Sequence, residues 1–210
     1  MSLPSRLLGA NPSIQVSTLL SGSLTTPSAK GAFVGSSYES IATVTVGSGG
    51  SSTITFSSIP STYTHLQIRA LARTNRNTSA GDYYAVQFNS DTGANYIIGH
   101  QLYANGTTAG SFFNGASGNQ FYIERIPALN STASVFGGTV IDILDYRNTN
   151  KYKTTRALCG WDNNGTNGEI HLASGAWMST NAITSIAITS GTLNNFVQYS
   201  HFALYGIKGA

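Results

Sequence analysis

The sequence predicts an all-β protein: a jelly-roll-like, two-sheet antiparallel β-sandwich over residues 38–210, preceded by an extended N-terminal arm, residues 1–37. Three observations predict it. From Tyr38 onward, apolar and polar residues alternate in short runs broken by turn residues, with no amphipathic helical period. The pairs Asn105-Gly106, Asn114-Gly115, Asn164-Gly165 and Asn167-Gly168 tolerate positive φ and mark tight turns. Only 9% of the 210 residues are charged, against about 25% in an ordinary soluble domain. Yet 40% are hydrophobic and the mean hydropathy is -0.04. Polarity therefore resides in Ser, Thr, Asn, Gln and Gly, which suit turns and outward strand faces and leave few groups for acid–base chemistry.

The arm carries Pro4, Pro12 and Pro27 and many Ser, Thr and Gly residues. Its apolar pieces, Leu7-Leu8, Ile14, Val16 and Leu19-Leu20, follow neither a helical nor a strand period. A segment of this kind is ordered only when something ties it down. It is expected either to anchor on a neighbouring subunit or to pack on its own domain. Met1–Leu8 lacks a continuous apolar run, so no signal peptide is expected, and no run approaches the roughly 18 residues of a membrane span.

The strands follow in order. Ile41–Val46 alternates and is closed by Gly47-Ser48-Gly49-Gly50; Thr53–Phe56 is broken by Pro60. In His65–Arg73, Leu66, Ile68, Ala70 and Ala72 face one way and the intervening residues the other. Tyr83–Phe88 leads into the turn Asn89–Gly93, then come Asn95–Tyr103, Phe121–Ile126, Ser134–Leu144, Tyr152–Trp161, Ile170–Met178, Ile183–Ile188 and Phe196–Ile207. Ten or eleven strands result, which suits two packed sheets. The stretch Thr107–Gly118, rich in Gly, Ala and Ser around Phe112-Phe113, reads as a long loop. Its two Phe residues are a contact point or a plug for the sandwich end.

Charge and reactive groups narrow the function classes. The net charge is +3, but the basic residues form only two loose groups, Arg69/Arg73/Arg76 and Arg147/Lys151/Lys153/Arg156, so no nucleic-acid partner is expected. The lone Cys159 excludes an intrachain disulfide and reads as a buried thiol. Asp142 and Asp145, three apart in a strand, fall on opposite faces, which disfavours a glycosidase pair. Asp162, Asn164 and Glu169, in the run Asp162–Glu169, could offer oxygens to Ca²⁺. The twelfth position of an EF-hand loop would be Ala173, so an Asn/Gly hairpin is the simpler reading and no cofactor or metal is expected. Trp161 beside Asp162 and Asn164, and the Phe112-Phe113 pair, are candidate glycan contacts by stacking and hydrogen bonding; core packing is the alternative for Trp161.

Several stretches together resemble a known family: Tyr38–Val46 with its Gly-Ser-Gly-Gly turn, Ile59–Arg69, Phe88–Asp91, Ile141–Tyr146 with Asn150–Thr154, and Phe196–Gly209. They are similar to virion structural proteins of tailed bacteriophages common in aquatic phages, over residues 38–209. The resemblance implies a β-sandwich on the particle surface, as capsid decoration or head fibre, or as a tail-fibre part that binds host surface glycans. It supplies no catalytic residues. The expected partners are other virion proteins (the major capsid protein, or tail and portal components) and further copies of the chain, a trimer among the forms virion symmetry allows.

Overall fold

The computed structural model describes residues 37–165 and 168–209. The arm residues Leu7, Leu8, Ile14, Val16, Leu19 and Leu20 lie outside the described residues. The described part is all strand and turn, with no helix. Its strands are β1 (Tyr38–Thr45), β2 (Thr53–Phe56), β3 (His65–Ala72), β4 (Gly81–Phe88), β5 (Tyr96–Asn105), β6 (Thr108–Gly118), β7 (Phe121–Pro127), β8 (Gly137–Leu144), β9 (Lys153–Asp162), β10 (Gly168–Trp177), β11 (Ile186–Ser190) and β12 (His201–Ile207).

Two antiparallel sheets pack as a sandwich. The large sheet runs β1-β12-β3-β8-β9-β10-β5-β6 and the small one β2-β11-β4-β7. The alternation read in the sequence decides which side chains meet between them. Leu66, Ile68, Ala70 and Ala72 of β3 are buried, as are Ile141 and Ile143 of β8 and Ala157 and Cys159 of β9. They share one core with Ile54 and Phe56 of β2, Tyr84, Val86 and Phe88 of β4, Phe121 and Ile123 of β7, and Ile186 and Ile188 of β11. The aromatic residues interlock there, with Phe196 and Phe202 edge to face at 5.0 Å.

One expectation needs correction. Thr107–Gly118 is not a loop but the edge strand β6, paired with β5 from Asn105↔Thr108 to Tyr96↔Gly118. Its Gly, Ser and Ala residues have the composition of a turn, but a tight reversal at Gly106 (φ 56) brings the segment back onto β5, and ladder hydrogen bonds override propensity. With β6 the described strands number twelve. The final strand also starts later than expected, because Phe196 makes only isolated bridges to Ser51 and Thr74.

The long strands β5 and β10 bend at Gly99. Its φ is +71, and a Cβ there would lie 2.4 Å from the Ser174 carbonyl oxygen, so only glycine permits this approach.

Among the described residues, two cations are buried without a carboxylate partner. The Arg73 guanidinium donates to Ser131 Oγ and to the carbonyls of Leu129, Ser131, Thr132 and Val135, which straps the 128–135 segment to the end of β3. Lys153 Nζ donates to the carbonyls of Asn148 (2.6 Å), Lys151 (3.0 Å), Thr180 (3.1 Å) and Ser179 (3.4 Å). Burial lowers the pKa of both. Both belong to the basic groups read in the sequence, whose other members include Lys151, paired with Asp145, Arg156, paired with Asp142, and Arg147, which donates to the Ser61 carbonyl.

Candidate functional site

The β9–β10 hairpin builds the site. At its tip Asn164 (φ 57) and Gly165 (φ 79) both take the left-handed conformation, and Gly165 N donates to Asp162 Oδ1 at 2.8 Å. That turn fixes the register Trp161↔Glu169 and Cys159↔His171. Glu169 and His171, two apart on β10, share the face that looks toward the small sheet.

Glu169 is the centre of the cluster. Its Oε2 lies 2.9 Å from Arg125 Nε of β7 and 3.2 Å from His171 Nε2, and its Oε1 accepts from Asn105 Nδ2 at 2.9 Å. The His171 hydrogen bond, ahead of the Arg125 charge and the Asn105 amide, holds the Glu169 carboxyl below the usual range, against the opposing effect of burial. Tyr103 of β5 stacks on the His171 ring at 5.6 Å. A carboxylate ion-paired with Arg125 and hydrogen-bonded to Asn105 and His171 lacks the raised pKa that a general acid needs.

Three concavities open around it. An open trough of about 650 Å³ lies over Gly138, Val140, Leu158, Gly160 and Ile170, with Glu169 at its rim. A second of about 470 Å³ is bordered by Gly106, Trp161, Asp162, Gly165 and Glu169. A third of about 190 Å³ is lined by Tyr103, Asn105, Phe112, Arg125, Glu169 and His171. Trp161 Nε1, His171 Nδ1 and Gln101 Oε1 are buried with no hydrogen-bond partner among the described residues. Such atoms are the usual place for an ordered water or a polar ligand group.

The predicted site residues are thus partly gathered. Phe112 joins Glu169 at the smallest cavity. Phe113 sits on the opposite face of β6, where it packs against the His100 ring at 4.7 Å. Trp161 is only 8% exposed and packs inward, so it offers no stacking platform. Asp162 and Asn164 are exposed at the hairpin tip. Glu169 is spent on Arg125, His171 and Asn105, and the described residues hold no cluster of three or more His, Cys, Asp or Glu side chains that could bind a metal. Asp142 and Asp145 stay apart, the first bonded to Gln67 and Arg156, the second paired with Lys151 while its backbone N–H donates to His65 Nδ1.

Arg125, His171, Asn105 and Tyr103 were not picked out from the sequence. The spacing Glu169-x-His171 in a strand was the one available signal, since it places both on one face; Arg125 and Asn105 come from distant strands.

The outer face of the large sheet is unexpectedly apolar. Leu71, Leu158, Ile170, Leu172 and Leu102 are each 43–53% exposed. Register makes them one band: Val140 lies opposite Leu158, Leu158 opposite Leu172, and Leu172 opposite Leu102. Gly138 and Gly160, opposite one another, leave bare backbone beside it and form the floor of the trough. Beyond the band, Arg69 lies over the Tyr38 and Tyr205 rings at 5.3 and 5.7 Å.

Comparison with protein-family models, with curated protein sequences and with solved structures finds no match for this chain.

Proposed function

We propose that the chain is a non-enzymatic structural protein of a tailed-phage virion, seated on the particle surface as a capsid decoration or head fibre. In this reading residues 1–37 anchor it to other virion proteins. The observation that carries the reading is the apolar band on the outer face of the large sheet. An outward sheet face is normally polar, and a contiguous exposed apolar patch marks an assembly surface. Two further features support it. The strands β1-β12-β3-β8 and β2-β11-β4-β7 follow the order of two interlocked Greek keys, the jelly-roll arrangement used by many capsid proteins. The hairpins β5–β6 and β9–β10 then extend one sheet. The sequence resemblance points the same way. The test is a deletion of residues 1–37 followed by imaging of labelled protein on intact particles. Loss of incorporation with the sandwich still folded supports the reading; normal incorporation overturns the anchor.

A second reading, a tail-fibre part that binds host glycans, is favoured by one observation. The cavity of about 190 Å³ combines the exposed Phe112 ring with Asn105 and Tyr103 beside the unpartnered His171 Nδ1. A glycan array on the wild-type chain and on Asn105→Ala tests it, and a blank array removes it.

A further inference from the structure

The four sheet edges are protected to different degrees. β2 is four residues long. β7 carries Arg125 and ends on Pro127. β1 carries Glu39 and a break in register between Ser40 and Ala42. Short length, charge, proline and bulges are the means by which proteins prevent an edge from recruiting another strand. The fourth edge is β6, Thr-Ala-Gly-Ser-Phe-Phe-Asn-Gly-Ala-Ser-Gly, eleven residues with neither charge nor proline. Its one irregularity lies between Asn114 and Ser117, so Thr108 to Asn114 is a regular edge of seven residues centred on Ser111. Among the described residues nothing pairs with its outer side.

We propose that β6 pairs antiparallel with β6 of a second copy of this chain, about a two-fold axis at Ser111. This register sets Phe113 (62% exposed) opposite Ala109 and Phe112 (40% exposed) opposite Gly110, so each exposed ring meets a small residue of the other copy. No like charges oppose the contact, since β6 has none. Ser111 lies opposite Leu102, at the end of the apolar band, so the pairing joins the bands of two copies into one surface.

Size sets the strength. Seven residues at about 3.4 Å give a paired edge roughly 24 Å long, and with a sheet about 10 Å thick it presents roughly 240 Å², below the ~800 Å² per partner of a standard stable interface. The dimer is therefore concentration-dependent. It needs no virion component, so it stands or falls apart from the proposed function.

The test uses the full chain in sedimentation equilibrium from about 10 μM to about 1 mM, the range in which so small a contact is populated. The expected result is a monomer–dimer equilibrium. Ser111→Lys places two like charges opposite one another at the axis and is expected to weaken the dimer about tenfold or more; Ser111→Asp does the same. An equimolar mixture of the two variants restores dimer, which also shows that both are folded. Four outcomes overturn the proposal: a monomer throughout, a trimer, a dimer indifferent to Ser111→Lys, or a mixture that fails to recover association.

Discussion

Arg125 Nε of β7 lies 2.9 Å from Glu169 Oε2 of β10, an ion pair that ties the small sheet to the large one. Its geometry gives Glu169 a role in stability whatever else it does.

Glu169→Gln keeps the side-chain shape but removes the charge that Arg125 and His171 face. It is expected to cost about 1–3 kcal/mol in urea unfolding, toward the lower end because Arg125 is partly exposed. The Glu169 carboxyl is held below its ordinary value of 4.5. Its contribution is therefore fully present above that value and lost as pH falls through the lowered folded pKa. The gap between wild type and Glu169→Gln should close on acidification below pH 4.5. A gap that widens in acid would contradict this assignment.

Lys153→Met leaves the carbonyls of Asn148, Lys151, Ser179 and Thr180 without their shared donor. A loss of about 3 kcal/mol is expected. Burial holds the Lys153 pKa below 10.5, so the unfolded chain binds more protons between the lowered value and 10.5. The advantage of wild type over Lys153→Met then grows as pH rises through that window and shrinks as it falls. Calorimetry of the pair at several alkaline pH values measures this.

Arg73→Met should release the 128–135 segment before the rest of the fold. Amide exchange in that segment is expected to speed up by at least about tenfold while the β3–β8 ladder stays protected. Equal acceleration in both would show that Arg73 does not act as a local strap.

Leu158→Ser combined with Leu172→Ser removes half-exposed side chains from the outer face, so unfolding free energy should change by about 0.5 kcal/mol or less. Particle incorporation should fall sharply if the band is an assembly surface. Undiminished incorporation counts against the virion reading.

Trp161→Ala is expected to cost about 3–5 kcal/mol because the indole is buried. Loss of glycan binding in that variant would report unfolding, which is why Asn105→Ala is the informative change.

The sandwich was legible wherever a strand has one buried and one wet face. In β3, Leu66, Ile68, Ala70 and Ala72 announce their side by alternation alone. β6 was not legible, because its Gly, Ser and Ala residues become a strand only through β5, and a lone edge strand has no core face to pattern it. In the sequence Arg73 and Lys153 stand out only as members of two loose basic groups. Their burial depends on carbonyls brought together from separate segments, which no local pattern encodes. Of the candidate site, Glu169 and Asp162 were visible as acids flanking an Asn/Gly turn. What Glu169 touches was not, since Arg125 lies 44 residues upstream and Asn105 is further still.

The sheet order also dictates timing. Among the described residues β1 has a single neighbouring strand, β12, and β12 is the last strand described. At about 5–20 residues per second, the ribosome makes residues 201–207 roughly 8–30 s after β1, so β1 waits that long for β12. The large sheet therefore closes only once residues 201–207 have been made, by one insertion of β12 between β1 and β3. Such long-range closure is slow, so a nascent chain truncated before His201 should present an unsatisfied gap between those two strands and draw chaperones to it.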